Sequence, residues 1–233
     1  ADSELREMLE VSRRDATIQR ANLFQRRFFR PIVLAVTLAM FNQLLGINVV
    51  LYYLNDIFAM AGFDRESQNL QTVIVGAVML AATFVAISLI DKAGRCTLLL
   101  LGSVGMAICL GGIAGIFQFH RLEPALVWLV LAYVAFFCVS QGTVIWVYLS
   151  EIFPTQVRSQ GQSLGCTVHW VMNAILSAAF PILAARSRSG PFWLFCCVAI
   201  GQFVAVSLFF PETKGAERRR LALARRRGTS RLP

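Results

Sequence analysis

Six apolar stretches, each close to the ~20 residues that a helix needs to cross a bilayer, leave this chain few folds to choose from. They run over about 31–59, 69–90, 97–118, 125–152, 162–185 and 191–210. Inside hydrocarbon every backbone N–H and C=O must be paired within the protein, so only helices and closed barrels can span. The alternating segments of ~10 residues that mark a barrel do not occur. The sequence therefore predicts an all-α integral membrane protein, a six-transmembrane-helix bundle over 31–210. A polar segment precedes it at 1–30 and a basic tail follows at 211–233. Several stretches exceed 20 residues, which predicts tilted helices or ends that project beyond the hydrocarbon. Hydrophobic residues make up 57% of the chain, above the about 45–50% of soluble domains.

Charge sets the expected orientation. With six spans both ends of the chain lie on one face. Of its 22 Lys and Arg, all but Arg65, Arg121, Arg186 and Arg188 belong to that face. The positive-inside rule then places both ends in the cytoplasm, in a plasma or inner membrane. The net charge of +9 is thus topology first and attraction to anionic membrane lipid second. No basic helix with interleaved aromatics stands apart from the membrane, so nucleic acid is not an expected partner. The first thirty residues hold no apolar signal-peptide core, and the chain opens at Ala1 without a methionine, which suggests a piece of something longer. Six cysteines are scattered without a C-x-x-C pair. They read as small packing residues rather than disulfides or metal ligands, and no cofactor or metal is expected.

Polar groups at membrane depth are costly and functional by default. FNQLLGINVVLYY, residues 41–53, carries Asn42, Gln43 and Asn48 among Leu, Val and Ile. On one continuous helix Gln43 and Asn48 would lie ~7.5 Å apart along the axis and on different faces, which suits a helix lining a cavity. Tyr53 follows near the outer end, where interfacial anchoring is the alternative. On the fifth stretch His169 and Asn173, at i and i+4, share a face next to Trp170, and on the fourth Gln141 and Trp146 flank Gly142 and Thr143. Amides suit hydroxyl pairs, and a flat apolar ring covers the C–H face of a sugar. The alternative is hydrogen bonding between helices and core packing. At the cytoplasmic helix ends DKAGR (Asp91 to Arg95) and EIFPTQVR (Glu151 to Arg158) each place an acid before an arginine. That echo suggests an internal repeat and ion pairs able to latch one face, against a plain topological role for the charges.

These stretches resemble the sugar porter family of the major facilitator superfamily, in its C-terminal six-helix half (transmembrane helices 7–12). NQLLGINVVLYY is similar to that family's QQ-x-x-GIN-x-x-x-YY of helix 7. DKAGR is similar to its D-x-x-GR-[RK] loop, WVYLSEIFPTQVR to its helix 10 motif and the E-x-x-P-x-x-x-R after it, and FFPETKG to the PETKG that closes helix 12. The resemblance implies half of a major facilitator fold and a substrate site of Asn42, Gln43, Asn48, Tyr53, Trp146, His169, Trp170 and Asn173. It also implies a cytoplasmic gating network of Asp91, Arg95, Glu151 and Arg158. Departures fall on the site: Asn42 is one methylene shorter than the usual Gln, Met79 stands where an asparagine is usual, the G-P-x-P prolines are absent, and His169 replaces an amide. His169 could titrate near neutral pH, so uniport and proton symport are both kept as readings.

The expected function is membrane transport of a monosaccharide or polyol by alternating access. An N-terminal six-helix half in a longer parent chain would supply the opposite wall. The alternatives are a carrier of another hydroxylated metabolite, or a non-transporting sugar sensor or degenerate fragment. No midplane acid or nucleophile accompanies His169, so an enzyme is not expected.

Overall fold

The computed structural model describes residues 22–60, 62, 64–120 and 124–214. The segment 1–30 therefore lies mostly, and the basic tail almost wholly, outside the described residues, as does Arg121. Among the described residues six helical stretches are long and apolar enough to cross a membrane: Arg26–Tyr52, Asn69–Ala93, Arg95–Phe119, Ala125–Ile152, Thr155–Arg186 and Gly190–Phe209. The helices are α1 (Phe29–Leu44), α2 (Ile47–Tyr52), α3 (Leu54–Met60), α4 (Arg65–Ala93), α5 (Arg95–Phe119), α6 (Ala125–Phe137), α7 (Thr143–Ile152), α8 (Arg158–Arg186) and α9 (Gly190–Phe209). A π turn, Cys138–Gly142, joins α6 to α7.

The predicted first span is not one helix. Gly46 adopts φ +85°, ψ 15°, and closes α1 with its N–H on the Gln43 carbonyl at 2.8 Å, the left-handed cap that glycine takes without strain. α2 then restarts on the Gly46 carbonyl. A broken helix needs outside partners for its carbonyls in a membrane. Buried Tyr133, on α6, donates its hydroxyl to the Leu45 carbonyl at 2.9 Å. The other spans follow their expected bounds within a few residues, except that the fifth starts earlier. There Phe153 is extended before Pro154, the conformation favoured for a residue preceding proline, and a short 3-10 turn, Thr155–Val157, leads into α8.

α5 is the central helix, packed against α9 and α6. Its Gly102 and Gly105 lie directly under Ser140 and Phe136, so the fourth span can approach it closely, as small residues permit in lipid. Two buried apolar clusters result. One is centred on Leu45, Met106, Leu110, Val130, Tyr133 and Phe195. The other lies towards the opposite end and holds Leu38, Leu99, Ile145, Tyr148, Leu149 and Phe153.

Gly46 also faces the Phe195 ring, to which an added Cβ would come within 2.4 Å. Gly46→Ala is expected to lose about 2–4 kcal/mol from the left-handed backbone and overpacking together. Thermal unfolding of the purified protein checks this, and a variant as stable as the parent would contradict it.

Candidate functional site

The break at Gly46 turns α2 so that two amides predicted on different faces meet. Asn48 Nδ2 donates to Gln43 Oε1 at 3.0 Å. Gln43 Nε2 donates to Asn42 Oδ1 at 3.3 Å and lies 2.9 and 3.1 Å from the two ring nitrogens of His169 on α8. Since that amide nitrogen only donates, the imidazole accepts through an unprotonated nitrogen. Gln43 thus links Asn42, Asn48 and His169 into one polar cluster, with Asn42, Gln43 and His169 buried. Trp146 and Trp170 flank the imidazole, with ring centroids at 5.2 and 5.3 Å.

This cluster lines a cavity of about 300 Å³ together with Ile47, Leu51, Met79, Thr83, Phe137, Cys138 and Thr143. One wall is amide and imidazole; the other is largely apolar, with Met79 on it. Trp146 and Trp170 remain 42% and 58% exposed, their rings forming an open flank. The π turn shapes the far wall, where Thr143 Oγ1 donates to the Cys138 carbonyl at 3.0 Å. π turns are frequent where helices bear function. Among the described residues no three of His, Cys, Asp and Glu gather to hold a metal ion.

Two predicted site residues lie elsewhere. Tyr53 is not part of this wall: its hydroxyl donates to the Ser177 carbonyl at 3.4 Å. Pro181, inside α8, has no N–H to offer that carbonyl, so the tyrosine occupies a vacant acceptor. Tyr53 lines a second hollow with Asp56, Phe180 and Arg186. Asn173 is buried and accepts from Ser177 Oγ at 3.4 Å.

The predicted charge cluster forms around one arginine. Arg95 grips Glu151 through Nη2 at 2.7 Å and Nε at 3.1 Å, and reaches Asp91 at 3.2 Å and the Ile90 carbonyl at 3.0 Å. Arg158 does not join it; its Nε is buried without a hydrogen-bond partner. The sequence reading missed the residues that complete the cluster. Thr213 donates to Glu151 Oε2 at 2.5 Å, and the Glu212 carboxylate accepts the Arg95 and Cys96 N–H groups at 3.0 Å each. Glu212 so caps the N-terminus of α5, where a carboxylate is favoured by orphan donors and the helix dipole. Tyr148 and the Lys92 carbonyl hold the segment 211–214 through Pro211 and Lys214. The signal available was an acid and a hydroxyl just beyond the last helix.

The sequence model of the sugar (and other) transporter family matches residues 1–221. The D-xylose-proton symporter of Escherichia coli (strain K12) is 38% identical over 193 residues, 79% of this chain and 39% of that protein. Facilitated trehalose transporter Tret1 of Bombyx mori is 36% identical over 201 residues, 83% of this chain and 40% of its own length. Among solved structures, the major facilitator superfamily proton:xylose symporter XylE bound to 6-bromo-6-deoxy-D-glucose superposes with a TM-score of 0.73 at 36% identity. It is covered over 79% of this chain and 40% of its own. The chain thus spans about 40% of the length of the relatives it matches.

Arg95 has a side chain 10% exposed and Glu151 26%, whereas Asp91 is 82% exposed. Arg95→Gln, which strands Glu151, is expected to cost about 2–4 kcal/mol, and Asp91→Asn no more than about 1 kcal/mol. Unfolding of the two variants side by side checks the order, and equal losses would contradict it.

Proposed function

The chain belongs to the sugar (and other) transporter family, and from that premise we propose that it forms one wall of the substrate path in a membrane carrier of a monosaccharide or polyol. The observation that carries this reading is the Gln43 cluster: three amides and an imidazole at the depth of the spans, beside two open tryptophan rings. Buried polar groups in a bilayer demand partners, and a ring of hydroxyls would supply them while its C–H face lies on Trp146 or Trp170. Asn42, Gln43, Asn48, His169 and the two tryptophans are the proposed substrate wall. Tyr53 and Asn173, outside this wall, are proposed for the same path beyond it. The relatives named for D-xylose and trehalose transport favour a sugar.

The opposite wall would come from an N-terminal six-helix half in a longer parent chain. Rocking of the halves would expose the cavity to each side in turn, and the exposed tryptophans suit such a partner. Both ends of the chain are cytoplasmic on the charge argument, in a plasma or inner membrane, and the basic tail meets anionic lipid. The Arg95–Glu151–Asp91 cluster then sits on the cytoplasmic side as a latch, and Arg158 is a further basic residue of that face.

Uptake of radiolabelled hexose, pentose and polyol by vesicles carrying the full-length protein tests this. Saturable uptake of one of them is expected, with Gln43→Ala reducing it at least about tenfold as several hydrogen bonds are lost together. Uptake indifferent to Gln43, or none, would favour a sensor or a degenerate chain.

Proton coupling has a residue to act on. Protonated His169 could only donate and would face the Gln43 amide N–H, with no charged side chain among the described residues paired with the ring to compensate: Gln43, Trp146 and Trp170 surround it. The neutral imidazole is the form that completes the cluster, so acidification should weaken sugar binding by roughly three- to tenfold. Affinity measured from pH 8 to pH 5 checks the sign. His169→Gln, which keeps an acceptor without titrating, should flatten the profile.

A further inference from the structure

Gln141 is fully buried, and its role is not explained by lining the cavity. It lies in the π turn of the fourth span, with Nε2 unpartnered. Its side-chain oxygen and its backbone carbonyl both face Asn42 Nδ2, at 3.4 and 3.3 Å. Each contact is long for N–H···O, so one amide group is shared between two acceptors. Asn42 Oδ1 accepts from Gln43, and Gln43 Oε1 accepts from Asn48. A relay of amides therefore runs from the fourth span to the cavity.

The polarity of this relay has one fixed point. A side-chain amide can turn end for end, but a backbone carbonyl cannot, and it only accepts. The two oxygens of Gln141 demand the NH₂ end of Asn42. The oxygen of Asn42 then demands the NH₂ end of Gln43, which leaves the Gln43 oxygen towards Asn48. Turning any amide in the row sets donor against donor or acceptor against acceptor. The orphaned Gln141 Nε2 fits this account, since turning that amide would bring its N–H groups against those of Asn42.

We propose that Gln141 is a positioning residue for the substrate: by holding Asn42 it fixes the carbonyl end of Gln43 towards Asn48 and the cavity, so that the sugar hydroxyl reaching Gln43 must donate. This rests on the cavity being the sugar site. Gln141 itself touches no substrate; it decides which hydroxyl pattern the site reads. A site built to receive a donated hydrogen bond rejects an analogue unable to donate one.

The test is binding of D-xylose, L-arabinose and D-glucose, and of their monodeoxyfluoro analogues, to the purified full-length protein. A fluorine in place of a hydroxyl cannot donate. At one ring position the wild type should bind the fluoro analogue about tenfold more weakly than its parent sugar. Gln141→Leu, which leaves Asn42 with the single long backbone contact, should bind the parent sugar about three- to tenfold more weakly. It should also reduce the fluoro discrimination to about threefold, because the backbone carbonyl of residue 141 still sets the orientation of Asn42 but holds it, and the Gln43 amide next to it, by one long contact instead of two. Gln141→Glu, uncharged in the apolar core and retaining an oxygen for Asn42, should keep the discrimination. A merely structural role would lower affinity for all analogues alike. Where the leucine variant does not run as a single species on size exclusion, Gln141→Met, of equal length, is read the same way. Unchanged discrimination in the apolar variant, or equal loss in the apolar and Glu variants, overturns the proposal alone, provided Gln43→Ala abolishes binding. No sugar bound by the wild type, or binding indifferent to Gln43→Ala, overturns the sugar reading with it.

Discussion

The requirement that every backbone polar group in a bilayer find a partner governs this structure at one place above all, the break at Gly46. A helix interrupted in hydrocarbon leaves carbonyls with no donor. Here the left-handed glycine closes the first piece on itself, and the Tyr133 hydroxyl takes the Leu45 carbonyl. Tyr133 is buried between helices, so its O–H also needs an acceptor. Each group solves the other's problem. The consequence reaches the site, because the turn of the chain there sets Asn48 beside Gln43. A straight helix would have left them on different faces.

The charged end obeys the same accounting. Arg95 spends its guanidinium on Glu151, Asp91 and the Ile90 carbonyl, and its own backbone N–H goes to Glu212. The segment after the last span thereby ties the start of α5 to the end of α7. The pairing is bidentate, the geometry in which arginine differs from lysine. This cluster and the amide cluster both draw on the fourth span, through Glu151 in one and Gln141 in the other, and both use residues from spans remote in sequence.

Much of this was legible in the chain. The six spans, the deep amides, the tryptophans and the paired acid–arginine motifs each stand out because polar or aromatic groups are rare where helices must be apolar. Asn42, Gln43, Asn48, Trp146, His169 and Trp170, all singled out by their polarity or size at membrane depth, line one cavity. Tyr53 and Asn173 do not share that wall, since Pro181 frees a carbonyl that draws the tyrosine to Ser177. Arg158 stands apart from the ion pairs it was grouped with, and Glu212 and Thr213 enter them. Such partnerships depend on which helix ends meet, and spacing along one helix carries no information about that.

The sequence by itself determined that the chain crosses a membrane as helices, which residues are too polar to face lipid, and which family's motifs it bears. Those follow from local hydropathy, because the bilayer is a solvent that each segment meets alone. Only the tertiary structure decided where the first span breaks, which amide donates to which, and that Gln141 anchors the row. Hydrogen-bond polarity is a property of a closed network. It is fixed only when a group that cannot turn, here a backbone carbonyl on another span, is brought within reach.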